Sequence, residues 1–111
     1  MPRRLTPLTA EALAKAVFDD DQRALTKHFL ALLQGIAPGA SVEVRVPPYA
    51  AIQCIAGVRH TRGTPPAVIE MAAETWLALA QGSLTWTAAI AAGSVRASGE
   101  RADLSPYLPL A

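Results

Sequence analysis

Residues 76–110 read WLALAQG-SLTWTAAIAAG-SVRASG-ERADLSPYLPL, and their punctuation decides the fold. Gly82, Gly93 and Gly99 each fall where a periodic segment has just run out. A glycine there takes the left-handed conformation that ends an element at the least steric cost. The stretch therefore predicts a helix carrying Trp76, Leu77, Leu79 and Ala80, then a short helix capped by Ser83 or Thr85 and carrying Trp86, Ala89 and Ile90. A strand, SVRAS, follows, with Val95 and Ala97 inward and Arg96 and Ser98 outward. The closing ERADLSPYLPL sets Leu104, Tyr107 and Leu108 on one face of a helical turn that Pro106 and Pro109 keep short.

Working back toward the start, the period is that of strands. Val42, Val44 and Val46 alternate with Glu43 and Arg45, the pattern of a strand with one dry and one wet face. Pro47 and Pro48 impose a corner. The next strand, YAAIQCI at 49–55, is apolar on both faces except at Gln53 and is expected in the middle of the sheet. Residues 67–71, AVIEM, suit a third strand. The start of the helix after it, somewhere in 72–75, has no strong capping residue.

Two helices are expected ahead of the strands. Thr9 is an N-cap with Glu11 in the first turn, Leu8 and Leu13 form a hydrophobic staple, and the helix runs to about Phe18. One of Asp19, Asp20 and Asp21 caps a second helix with Leu25, Phe29, Leu32, Leu33 and Ile36 at helical spacing, ending near Gly35. His28 lies at the edge of that stripe and is read as a boundary residue with its polar end in water. Residues 1–8 are expected as a loose arm. The fold class is α+β, a small sheet of about four to five strands covered by helices, in a single domain over 1–111.

Composition narrows the function. A net charge of +1 with scattered basic residues offers no stripe to neutralise a phosphate backbone, so nucleic acid is not expected as a partner. No apolar run is long enough to span a bilayer and no secretory signal opens the chain, which makes a cytoplasmic location the expectation. Two histidines and one cysteine do not supply the repeated ligands of a metal site, and no cofactor is expected. No Gly-rich phosphate loop and no G-x-S-x-G turn is present. The one pair that invites a catalytic reading, Cys54 with His60, lacks a third orienting group, so no catalytic residue is assigned. The most polar loop, VRHTRGTPP at 58–66, gathers Arg59, His60 and Arg62, cations able to receive a carboxylate or phosphate or simply to keep an edge soluble.

The run at 76–110 also resembles the C-terminal part of the sterol carrier protein type 2 superfamily. There, two helices end in glycine, a strand of the form x-V-x-x-S-G-x follows, and an amphipathic helix closes the domain. VEVRVPPYAAIQCIAGVRHTRGTPPAVIE is similar to the smaller bacterial, actinobacterial branch of that superfamily. The resemblance spans the chain from about Ser41 onward. It implies helices over a sheet with an apolar tunnel between them for a fatty acyl chain, acyl-CoA or sterol. The strand region here is shorter than in those relatives. The same likeness reaches the C-terminal module of mycothiol-dependent isomerases, whose metal-binding helical domain this chain lacks. On this reading Phe29, Leu33, Trp76, Leu79, Trp86, Ile90, Tyr107 and Leu108 line the ligand site and Arg59, His60 and Arg62 meet a polar head group. The competing expectation is an interaction module that joins a protein partner, or itself as a homodimer, through the apolar C-terminal helix or an exposed sheet edge.

Overall fold

A computed structural model describes residues 4–57 and 67–111. The first helix, α1 (Ala10–Phe18), starts where Thr9 accepts a hydrogen bond from the Ala12 amide at 3.2 Å. It ends with Lys15 paired to Asp19 at 2.8 Å. Asp21 accepts from the Ala24 amide at 3.1 Å and so caps α2 (Gln22–Ile36). Both caps satisfy amides that the first turn of a helix leaves without an intrahelical partner.

Four strands follow the predicted order: β1 (Val42–Val46), β2 (Ala50–Cys54) and β3 (Ala67–Met71), then α3 (Ala73–Gln81), α4 (Trp86–Ala91) and β4 (Val95–Ser98). A single turn of 3-10 helix, Ser105–Tyr107, closes the chain. The sheet order is β2-β1-β3-β4, with β1 antiparallel to β2, parallel to β3, and β3 antiparallel to β4. This is the expected α+β arrangement.

The sheet corrects one expectation. β2 lies at an edge, and β1 and β3 hold the centre. The apolar appearance of β2 comes largely from alanine, which gains little from burial, and Ala51 indeed faces solvent while Ile52 and Cys54 are buried. Val42 and Val44 instead meet partners on both sides, and with Val46 they are fully buried. A smaller correction concerns β4: Val95 is buried, but Ala97 is exposed on this edge strand, against which the six-residue α4 packs.

One face of the sheet carries Val42, Val44, Val46, Ile52, Cys54, Ile69 and Met71 into the core, and the other carries charge. On the open face Arg45 reaches Glu43 at 2.8 Å and Glu70 at 4.0 Å, and Glu70 stands opposite Arg96 across the β3–β4 pair.

The core's axis is α2, which packs against α1, α3 and β2. Leu25, Phe29, Leu30 and Leu33 are buried, and so are Thr26, His28 and Gln34. Ile36, expected on the buried stripe, ends the helix and is 57% exposed. His28 is not a boundary residue; it is 6% exposed because the N-terminal segment covers it. That segment is no loose arm from Leu5 on: the Leu5 amide donates to Gln34 Oε1 at 3.0 Å and the Leu8 amide to His28 Nδ1 at 2.9 Å.

α3 is joined to α2 by Trp76, whose side chain has no solvent exposure and whose indole N–H donates to the Thr26 carbonyl at 3.2 Å. The hydroxyl of the same Thr26 is buried and has no hydrogen-bond partner among the described residues. An unsatisfied buried hydroxyl carries a desolvation cost of about 1–3 kcal/mol. Thr26→Val keeps the branched shape and removes that cost, so the variant is expected to be more stable by about 1 kcal/mol in urea unfolding. A less stable Thr26→Val protein would show that the hydroxyl is bonded in solution.

Candidate functional site

The C-terminal third builds a cavity of about 270 Å³, about half open to solvent, where three short elements meet. α3 contributes Leu79 and ends at Gly82, whose φ of 86° turns the chain back on itself. The turn supplies Leu84 and Thr85, and α4 opens with Trp86 and Thr87. Ser105, Leu108 and Pro109 close the remaining wall.

Each wall is locally fixed. Thr85 accepts from the Ala88 amide at 3.1 Å and caps α4, which sets the direction in which Trp86 leaves the helix. Ser83 donates its hydroxyl to the Ala78 carbonyl at 3.3 Å. The tail is anchored by the fully buried Leu104, and the amides of Leu110 and Ala111 both donate to the Ala80 carbonyl, at 2.8 and 3.1 Å. Proline 109 thereby lies against Gly82, where an added Cβ would sit 3.4 Å from its ring.

The lining is apolar on Leu79, Leu84, Trp86, Leu108 and Pro109, with neutral hydroxyls on Thr85, Thr87 and Ser105. Among the described residues no charged side chain lines it. An apolar cavity with a few neutral hydrogen-bonding groups suits a ligand whose buried part is uncharged.

Three of the eight side chains expected to line a ligand site, Leu79, Trp86 and Leu108, come together here. Phe29, Leu33 and Trp76 are placed in the core around α2, each with 4% exposure or less. Tyr107 is half-buried against the core beside the cavity, and Ile90 stands one turn beyond Trp86 on α4 with 41% exposure. Arg59, His60 and Arg62 lie outside the described residues. Leu84, Thr85, Thr87, Ser105 and Pro109 are wall residues that periodicity does not single out, because they sit at element ends. The signal that could have found them is the flanking of Trp86 by two threonines and the return of Pro109 to a glycine stop.

Other chemistry is poorly provided for. Cys54 has no solvent exposure, and burial pushes its thiol up to about 11, so it stays protonated at neutral pH and is a weak nucleophile. Among the described residues no three of His, Cys, Asp and Glu converge as a metal site would require. A depression of about 290 Å³ over β3 and β4 is lined by Val68, Glu70, Arg96, Ala97 and Ser98. It lies along the charged, open side of the sheet, without the large apolar side chains that surround Trp86. Among the described residues no helix is long and apolar enough to cross a membrane.

Compared with known proteins, residues 19–110 match the family model described as bacterial SCP ortholog, 92 of the 111 residues. No curated protein matches the chain. The matched span begins after α1 and takes in α2, the whole sheet and every wall of the cavity.

Proposed function

The chain belongs to the bacterial SCP ortholog family, and from that premise we propose that it is a non-catalytic carrier of an apolar ligand, held at the cavity between α3, α4 and the C-terminal tail. The observation that carries this reading is the lining itself: five apolar side chains, including the tryptophan, around three neutral hydroxyls. Its volume of about 270 Å³ is near the lower bound of ligand pockets, about 300 Å³. It suits one narrow apolar segment, such as the end of a fatty acyl or acyl-CoA chain, better than a broad fused-ring sterol. Arg59, His60 and Arg62 are assigned in the same proposal to an anionic head group, on the strength of their clustering in sequence.

The test is native mass spectrometry of protein purified without detergent and then mixed with a lipid extract, followed by titration of the identified class while tryptophan emission is recorded. One retained apolar molecule per chain is expected. Trp76 is locked in the core, so the emission change should come from Trp86 and vanish in Trp86→Phe. Leu108→Asp puts a charge in the lining and is expected to weaken retention by at least about tenfold, which corresponds to about 1.4 kcal/mol. Arg59→Ala/His60→Ala/Arg62→Ala should weaken acids and spare neutral ligands. A clean apo mass with every lipid class would overturn the carrier reading.

A second reading has its own observation. Residues 75–95 contain no charged side chain, and on α4 Ala88, Ile90 and Ala91 face solvent. Such a surface fits a protein partner or a second copy of the chain. Light scattering with and without Ile90→Lys distinguishes the readings: loss of association with lipid retention intact favours the interaction module.

A further inference from the structure

The N-terminal segment and α2 fit one another as a strap fits its buckles. From Leu5 to Leu8 the chain can span at most about 10 Å, and from Gln34 back to His28 six helical residues rise about 9 Å. The two amides therefore fall in register with the two side-chain acceptors, Leu5 on Gln34 Oε1 and Leu8 on His28 Nδ1. Positions six apart also lie about 120° round a helix, so the strap runs antiparallel to α2 and crosses it obliquely. Both acceptors are more than nine-tenths buried, and Leu5 and Leu8 pack their side chains against the core.

The two acceptors differ in one respect. Gln34 presents a carbonyl oxygen at every pH. His28 can accept at Nδ1 only while its proton is on Nε2. Protonation puts an N–H on Nδ1, and two donors, the imidazolium and the Leu8 amide, then face each other.

We propose that residues 4–8 form a pH-released strap, latched on α2 by Gln34 and His28, which comes away when acid protonates the imidazole. With that bond gone, one neutral hydrogen bond at Gln34 and the partial burial of Leu5 and Leu8 must hold the segment against two opposed donors at His28 and the conformational entropy of an unrestrained chain. Release uncovers the side of α2 that carries His28 and Gln34 and exposes Leu5 and Leu8.

Desolvation by burial lowers the pKa of His28 below its ordinary value near 6.5. Charged groups on the elements packed around α2 are Arg4 of the strap, Glu11 and Lys15 of α1, Glu74 of α3, and Arg23 and Lys27 of α2 itself. Lys15 is engaged by Asp19, and Arg23 lies over the Tyr49 ring at 5.9 Å. Burial alone sets the direction at His28. The sign follows: a released or unfolded histidine binds the proton more readily, so the latch holds above about pH 6.5 and weakens as pH falls below it.

The strap is tested by heteronuclear NOE and amide shifts of the full chain at about pH 7 and about pH 5. In the unmodified protein, residues 5–8 are expected to be as ordered as the helices at the higher pH and to lose that order at the lower, with β1 and β3 unchanged. His28→Asn places a non-titrating oxygen where Nδ1 stands, and its strap should stay ordered at both pH values. Retained order in the unmodified protein at about pH 5 overturns the proposal. So does release of the His28→Asn strap with the same pH dependence, and so does loss of the β1 and β3 amides together with the strap.

Discussion

Trp76→Ala is expected to lower the unfolding free energy by about 3–5 kcal/mol, the cost of deleting a large buried aromatic side chain. Three features place it at the upper end. The side chain has no exposure, so all of its surface is removed from water on folding. It sits where α3 meets α2, so the void opens in the contact between two helices and not at the periphery. Its N–H is bonded to the Thr26 carbonyl, a link between residues fifty positions apart that alanine cannot make. A loss of that size is a third or more of the stability of many domains, which is about 5–15 kcal/mol in total. Urea unfolding followed by far-ultraviolet circular dichroism measures it independently of indole emission. Trp76→Phe, which keeps a ring and loses the bond, should lose less. Trp86→Ala, at a half-exposed site, should change stability by less than about 1.5 kcal/mol. Equal losses at the two tryptophans would contradict the division between core and cavity wall.

Gly39→Ala is expected to be nearly as damaging, by more than about 3 kcal/mol, although it adds only a methyl group. After α2 the chain crosses the end of β2 at close range. The Ile55 amide donates to the Ala37 carbonyl at 2.6 Å, and the Ile55 carbonyl accepts from the Ser41 amide at 3.1 Å and the Ser41 hydroxyl at 2.6 Å. Ile55 adopts a φ of 66°, which costs a β-branched residue energy and persists because these bonds hold it. At the crossing, Gly39 has a φ of 146°, and a Cβ there would lie 2.3 Å from the Ile55 carbonyl carbon and oxygen. Backbone cannot move aside as a side-chain end can. The control is Gly35→Ala, four residues earlier on an exposed helical position with nothing within 4 Å of the added carbon. It should raise stability by about 0.5–1 kcal/mol through helix propensity. Thermal or urea midpoints of the two variants should move in opposite directions. Similar midpoints would show that the crossing is looser than the structure has it.

Local signals in the sequence were reliable where the physics is local. Thr9 and Asp21 cap as their side-chain chemistry requires, and Gly82, Gly93 and Gly99 all take positive φ at the element ends they mark. The element order and the α+β class follow from those signals and from the change of period at Val42. What escaped was decided at a distance. The place of β2 depends on which strand pairs with β3, and an alanine-rich strand carries too little side chain to announce an edge. His28 is buried by a backbone amide twenty positions away, a partner that no periodicity can show. The cavity was half legible: Leu79, Trp86 and Leu108 stand out as large apolar residues, whereas its hydroxyls and Pro109 belong to the ends of elements. Phe29, Leu33 and Trp76 share the same helical periodicity and fill the core instead.

The C-terminal tail bears on how the cavity treats ligands of different size. Leu108 and Pro109 form a wall, and the residues just beyond them are tied back by two neutral hydrogen bonds to one carbonyl. Bonds of that kind are each worth about 0.5–1.5 kcal/mol net. Opening this wall breaks those two bonds and exposes Leu108 and Leu110, which pack against the core, without disturbing the sheet. On the proposed carrier function, a ligand longer than the cavity is discriminated by the free energy needed to loosen the tail and not by static volume alone.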